Sequence, residues 1–200
     1  MSESTLRLSI ESNVPGRRPT APFLITRGLV DTILFGLFES RAIRRSLRNR
    51  DKLNLSALGV RVQHELAASF HKPIELLALE PIAIHERLVR GLPGQALFIS
   101  ASLAFDSLAD ALPYFDVTAK TAWQKLEKQL SPAESEQALR LGRVATMASE
   151  LLGSPEAGRR YLRTANFALG GATPLELLKT AEGEQLVLNE LQTQSAGGPV

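Results

Sequence analysis

The 200-residue chain lacks cysteine altogether, so it forms neither a disulfide framework nor a thiolate metal site. This absence does not suggest secretion, and we expect a cytoplasmic protein. A long hydrophobic run is missing as well. The longest apolar stretch, residues 23–38, is interrupted by Arg27 and Asp31 and begins too far along the chain to resemble a signal peptide. We therefore expect no membrane partner.

Catalytic and metal-binding motifs are also missing from the sequence. The only histidines, His64, His71 and His85, are not spaced as HExxH, and no G-x-S-x-G elbow accompanies them. Histidine is the usual ligand and general base, but these three are expected at helix surfaces or in satisfied core positions. We therefore expect no metal, no cofactor, no catalytic residues and no enzymatic activity.

Charge is unevenly distributed along the chain, although the net charge is only +2. Residues 1–70 carry 11 Lys and Arg but 6 Asp and Glu, whereas the remainder is acidic overall. Much of the excess forms a basic stripe, composed of Arg41, Arg44, Arg45, Arg48, Arg50 and Lys52. The stripe is either a solvated helix face or a surface for DNA phosphates, and in the second case Arg44 and Arg45 are the candidate contacts.

Helical periodicity runs through most of the chain and predicts an all-α fold. Predicted helices cover residues 26–50, as one helix or two joined near Ser40, then 55–70, 82–90, three short helices within 95–128, and a long helix within 130–153. Further helices begin at Ser154-Pro155, at Pro174 and at Glu182. Residues 1–20 are predicted as a mobile tail, with a short strand at Leu6–Ile10 as the alternative.

A helix start near the C-terminus is especially clear. Thr173 as N-cap, Pro174 at the first helical position and Glu176 three residues after the cap make a capping box. Gly170 and Gly171 just before it permit a tight reversal of the chain. A glycine pair before a helix can also cradle phosphate, but the Gly-Lys-Ser/Thr ending of a P-loop is absent, which favours an ordinary helix corner.

This corner carries a family resemblance. The motifs are Tyr161 to Asn166, Ala168-Leu169-Gly170-Gly171, Thr173 to Leu178, and Glu182-Gly183. Together they resemble the C-terminal toxin-binding domain of Xre/MbcA/ParS antitoxins, with Ala165 standing where the family usually has proline. His85-Glu86-Arg87 followed by Gly91-Leu92-Pro93 is similar to the segment before the helix-turn-helix in longer Xre-type antitoxins. The resemblance covers about residues 74–200.

We expect three segments in an all-α, multi-helix protein, the first from charge and periodicity alone and the other two as the resemblance implies. Residues 1–70 would be a basic, partly helical extension, residues 71–130 an Xre-like helix-turn-helix domain, and residues 131–200 a helical toxin-binding domain. Within the second, Ser107–Leu112 would be the supporting helix and Thr118–Gln129 the recognition helix. The candidate DNA contacts there are Thr118, Lys120, Thr121, Gln124 and Lys125. The family's arginines are replaced by Lys and Gln, so a retained fold with weakened DNA contact is the alternative, and Trp123 is expected to pack.

The resemblance also implies a function, that of the antitoxin in a type II toxin-antitoxin pair. Its partner would be a RES-domain toxin, which consumes NAD⁺ or ADP-ribosylates a protein, and the antitoxin would cover the active site and bind operator DNA. The candidate toxin contacts are Leu169, Gly170, Gly171, Thr173, Pro174, Glu176, Leu186, Leu191 and Val200. Leu186, Val187 and Leu191 form an apolar stripe that is either core or partner groove. A homodimer or a larger hetero-oligomer with toxin is expected, and the alternative is a stand-alone transcription regulator.

Overall fold

The computed structural model describes residues 6–8, 23–48, 54–70 and 79–195. Eleven α-helices lie within these ranges: α1 (Arg27–Phe38), α2 (Arg41–Leu47), α3 (Leu55–Phe70), α4 (Pro81–Arg90), α5 (Gln95–Ala104), α6 (Leu108–Ala111), α7 (Ala119–Leu126), α8 (Pro132–Leu151), α9 (Pro155–Arg163), α10 (Pro174–Leu177) and α11 (Ala181–Ser195). A 3₁₀ helix spans Phe167–Leu169. Strands β1 (Leu6–Leu8) and β2 (Phe23–Ile25) pair antiparallel, with Leu6 opposite Ile25.

Most helices begin at a hydroxyl-bearing N-cap whose side chain accepts a hydrogen bond from the backbone N–H three residues later. These caps are Thr26, Ser40, Ser107, Thr118, Ser131, Ser154 and Thr173. At α8 the cap is a complete capping box, because Glu134 also accepts from the backbone N–H of Ser131 at 2.9 Å. The helix boundaries are therefore set largely by local chemistry.

Helix α8 is the centre of the molecule. It packs most extensively against α5 and α9, and it also contacts α1, α4 and α11. Every residue of α5 is buried, and α8 is buried almost continuously from Ala138 to Ser149. Because both helices are enclosed, their apolar side chains join those of α1, α3 and α11 in one hydrophobic cluster.

Helices α8 and α9 approach so closely that a side chain is excluded at Gly158. A Cβ atom built there would lie 2.6 Å from Oγ of Ser149 and 2.9 Å from its Cα. Since backbone atoms of α8 cannot move aside cheaply, glycine is required for this contact. The contact fixes the position of α9 and hence of the corner that follows it.

A buried charge network, formed by Arg143, Asp31 and Glu184, ties three helices together. Arg143 on α8 donates from Nε and Nη2 to Asp31 of α1 at 2.6 and 2.9 Å, and from Nη1 to Glu184 of α11. All three side chains are at most 5% exposed. Burial acts to lower the pKa of Arg143, but the two carboxylates outweigh it and raise that pKa. The guanidinium is therefore held charged inside the protein.

The prediction of an all-α, multi-helix fold is confirmed, with a single short strand pair beside the helices in the described residues. The mobile tail is wrong for Leu6–Leu8, where the alternative of a short strand applies because β2 supplies a partner. The remainder of residues 1–20 lies outside the described residues. The first helical stretch is two helices, divided at Ser40 as one of the two predictions had it.

The long helix, the three short helices and the helix beginning after Ser154 also form as predicted. Trp123 packs as expected, with its ring 4.9 Å from that of Phe98 between centroids. The division into segments 1–70, 71–130 and 131–200 stays a prediction. Buried side chains from all three segments belong to the same hydrophobic cluster.

Candidate functional site

The corner between α9 and α10, residues 166–173, is held by a closed set of backbone hydrogen bonds. Asn166 donates its N–H to the carbonyl of Ala172 at 3.1 Å, and its own carbonyl accepts from Leu169 and Gly171 at 3.0 and 2.9 Å. The Asn166 side chain accepts from the N–H of Ala168 at 2.9 Å and so starts the 3₁₀ helix. The corner is therefore a defined structure rather than an open loop.

Gly170 and Gly171 make this reversal possible. Their φ angles are +69° and +81°, in the region that residues with a Cβ atom rarely adopt. No other atom lies within 4 Å of a Cβ built at either position, so the conformation and not crowding requires glycine there. Both glycines are exposed, as a surface corner demands.

The predicted capping box at the end of the corner is present. Thr173 donates its backbone N–H to Oε2 of Glu176 at 2.7 Å, while its hydroxyl accepts from the N–H of Glu176 at 3.3 Å. The hydrogen bonds from the backbone and hydroxyl of Thr173 lower the pKa of Glu176. Pro174 is buried beneath this turn and fastens α10 to the core. Of these residues, Glu176 is exposed and faces solvent.

The other candidate toxin contacts are divided between surface and core. Leu169 is half-buried, and Leu186 on α11 is 55% exposed. Leu191, by contrast, is completely buried, so it supports α11 from inside and is corrected from surface contact to core residue. Val187 is likewise buried, which assigns most of the apolar stripe to the core. Val200 lies outside the described residues.

Phe167 is a surface residue that sequence reasoning missed. Its side chain is 98% exposed at the tip of the corner, directly before Ala168 and Leu169. Periodicity gives no signal here, because the 3₁₀ helix is only three residues long. The available signal was an aromatic residue between an asparagine cap and a glycine pair, where an exposed turn is expected.

The candidate DNA contacts on α7 differ in how free they are. Lys120 and Gln124 are exposed, whereas Lys125 pairs with Glu134 of α8. The hydroxyls of Thr118 and Thr121 lie 2.9 Å apart, and Thr118 also caps α7. Lys120 and Gln124 thus remain available for a DNA contact, whereas the other three side chains are engaged within the protein.

The basic stripe and α7 are neighbours. Nη2 of Arg44 lies 3.5 Å from Oε2 of Glu127, the residue that follows α7. Arg41, Arg45 and Arg48 are exposed on and beside α2. Arg50 and Lys52 lie outside the described residues. Helix α2 therefore meets the end of α7 at the Arg44–Glu127 pair, and each of the two helices carries exposed cations.

The part of the chain that the structure describes contains neither a metal cluster nor a membrane-spanning helix. No group of His, Asp or Glu residues there is arranged to hold a metal ion, and His64 and His85 are exposed. No helix among the described residues has the length and apolar character needed to span a bilayer. His71 lies outside the described residues.

Part of this chain matches a known protein family. Residues 147–197 match the model of the antitoxin Xre/MbcA/ParS C-terminal toxin-binding domain. The match begins near the end of α8 and takes in α9, the glycine corner, α10 and α11. A search of curated proteins finds no match. Residues 147–197 are thus similar to the toxin-binding domain of Xre/MbcA/ParS antitoxins, which supports an antitoxin of that type.

Proposed function

We propose that this chain neutralises a RES-domain toxin, an enzyme that consumes NAD⁺ or uses it to ADP-ribosylate a protein, by covering the toxin's active site. The observation that carries the proposal is the family match over residues 147–197. The exposed corner at Gly170 and Gly171 and the exposed side chains of Glu176 and Leu186 supply a surface for this contact. Inhibition is steric, and this chain contributes no catalytic group. Both proteins act in the cytoplasm.

Co-expression with the product of the neighbouring gene, which the proposal predicts to be a RES-domain enzyme, tests the proposal. Wild-type chain should restore growth and the cellular NAD⁺ level. Leu186→Glu should reduce both, because it places a charge on the proposed interface at a side chain that is already 55% exposed. Ile82→Glu, at a 65% exposed residue of α4 outside the family match, is the matched control and should rescue normally. Absence of rescue by the wild type, together with absence of binding between the purified proteins, would contradict the proposal.

We further propose that the antitoxin binds its own operator through α2 and α7. Exposed Arg45 and Lys120, with Arg44 between α2 and the end of α7, form a basic face suited to phosphate contacts. Phosphate contacts make affinity fall with salt, with a slope of about 0.9 per neutralised phosphate on a double-logarithmic plot.

Charge reversal of Arg44 and Arg45 to Glu should therefore weaken binding to the promoter fragment and flatten its salt dependence. The matched control is Arg90→Glu, because Arg90 is an exposed arginine of α4 that pairs only locally with Glu86. Unchanged operator affinity and unchanged salt slope in the double variant would rule the basic face out.

A homodimer or a larger complex with toxin is the assembly we propose, and light scattering of the purified complex measures it. Formation of this complex also distinguishes an antitoxin from a stand-alone transcription regulator. An antitoxin co-purifies with the neighbouring enzyme, whereas a stand-alone regulator binds operator DNA without it.

A further inference from the structure

Exposed large hydrophobic side chains are few among the described residues. They are Val60, Ile82, Val89, Phe167 and Leu186. Only Phe167 and Leu186 lie within the residues that match the toxin-binding domain. Phe167 is also the one aromatic residue of the group and the most exposed, at 98%. Its side chain is therefore almost wholly in water and adds little to the protein's own core.

The backbone beneath Phe167 is fixed even though its side chain is free. Gly170 donates its N–H to the carbonyl of Phe167 at 3.0 Å, inside the hydrogen-bonded corner 166–173. Nδ2 of Asn166 lies 3.5 Å from Oε1 of Glu190, which joins the corner to α11. A side chain presented on such a base loses little additional backbone freedom on binding.

Leu186 lies one helical turn from the point where α11 meets the corner. Leu186 and Glu190 are four residues apart on α11 and so lie on one face of that helix. Glu190 contacts Asn166, the immediate neighbour of Phe167. Both exposed apolar residues are thus close in sequence to the point where the corner meets α11, Phe167 next to Asn166 and Leu186 one helical turn before Glu190.

We propose that Phe167 is the principal anchor of the toxin interface and inserts into an apolar pocket of the RES-domain enzyme, with Leu186 packing at its edge. This inference rests on the proposed function. Aromatic residues dominate binding energy when they fill a desolvated pocket at the centre of an interface. The occupant is a toxin and not an arbitrary protein, because the anchor lies inside the segment that matches a toxin-binding domain.

Truncation of the anchor tests the proposal by affinity. Phe167→Ala should weaken binding of the purified RES-domain enzyme about 10- to 100-fold, the loss typical of a buried aromatic hot spot. Val60→Ala, at a 71% exposed residue of α3 outside the matched domain, should leave affinity unchanged. The melting temperature of the Phe167→Ala variant should equal that of the wild type, because the side chain is outside the core. Equal affinity of the wild type and Phe167→Ala for the enzyme would overturn this inference alone, whereas a wild type that does not bind would overturn the proposed function.

The absence of cysteine gives a second, direct test. Ala168→Cys places a single thiol on the exposed neighbour of Phe167 and leaves the anchor intact. A saturating amount of the enzyme should slow maleimide labelling at position 168 but not at Val60→Cys. Labelling at position 168 that is unaffected by bound enzyme would contradict the inference. Protection that instead rises with the concentration of this chain alone would assign the surface to a second copy and also overturn it.

Discussion

Arg143 is the residue that most directly joins distant parts of the chain. It bonds Asp31, 112 positions earlier, and Glu184, 41 positions later, and all three are almost fully buried. Removing one member of such a network is costly, because the buried guanidinium is then left with one carboxylate partner instead of two.

Asp31→Asn should therefore destabilise the protein by about 3 kcal/mol. Asparagine has nearly the shape of aspartate but no charge, so Arg143 stays charged and loses one anionic partner. The midpoint of urea unfolding measures this loss. Glu86→Gln, which removes an exposed pair within α4, should cost at most about 1 kcal/mol. Similar midpoints for the two variants would show that the buried network contributes no more than a surface pair.

The network could not be predicted from the sequence, and helical periodicity gave no sign of Phe167. Asp31 is visible only as an interruption in an apolar run, and no local pattern identifies a partner more than 100 positions away. The exposure of Phe167 depends on a 3₁₀ helix too short to produce periodicity. Leu191 was misassigned for the related reason that an apolar stripe looks the same whether it packs inward or against a partner.

The capping boxes of α8 and α10 show what local chemistry determines at the scale of one element. Both were predictable, because every interacting group lies within four residues of sequence. The short length of α10 was not predictable, because it depends on where the chain next meets the core. The pairing of β1 with β2 was not predictable either, because the two strands are distant in sequence.

The box at α8 predicts a pH dependence of stability. Burial acts to raise the pKa of Glu134, but hydrogen bonds from Lys125 and Ser131 outweigh it and lower that pKa below 4.5. Ionised Glu134 therefore stabilises the fold fully at pH values above the pKa that Glu134 has in the unfolded chain. This contribution is lost as pH falls through its lowered pKa in the folded protein. Glu134→Gln should melt below the wild type at pH 7, and the two melting temperatures should converge as pH falls through the lowered pKa of Glu134.

A Lys125→Met background provides the control for this measurement. With the Lys125–Glu134 pair already absent, Glu134→Gln should produce a smaller difference between pH 7 and acid. Melting-temperature differences that stay constant over the whole pH range would contradict the assignment.

Two glycines should respond oppositely to the same substitution. Gly170→Ala forces a Cβ into a φ of +69° and should cost about 1–2 kcal/mol. Gly36 lies on the exposed face of α1, and a Cβ built there meets no atom within 4 Å. Gly36→Ala should therefore stabilise the protein by about 0.5–1 kcal/mol. Thermal unfolding of the pair checks the signs, and equal effects would show that the corner is not strained by a side chain.

The central position of α8 governs the whole molecule. Because α8 contacts α1, α5 and α9, residues 131–200 include only part of the surroundings that bury it. We expect a fragment of residues 131–200 to show far less helical circular dichroism per residue than the full chain. Cutting the chain there exposes the apolar face that α5 covers and leaves Arg143 without Asp31. A fragment that unfolds cooperatively on heating would show instead that this segment is an independent domain.

The contact at Gly158 links this architecture to recognition. The absence of a methyl group at Gly158 sets the spacing of α8 and α9, and the corner that bears Phe167 follows directly after α9. An alanine at position 158 would push α9 away from α8 and so shift the corner 166–173, without changing any side chain of the corner itself. We therefore expect Gly158→Ala to change affinity in the proposed toxin contact, although Gly158 itself is buried.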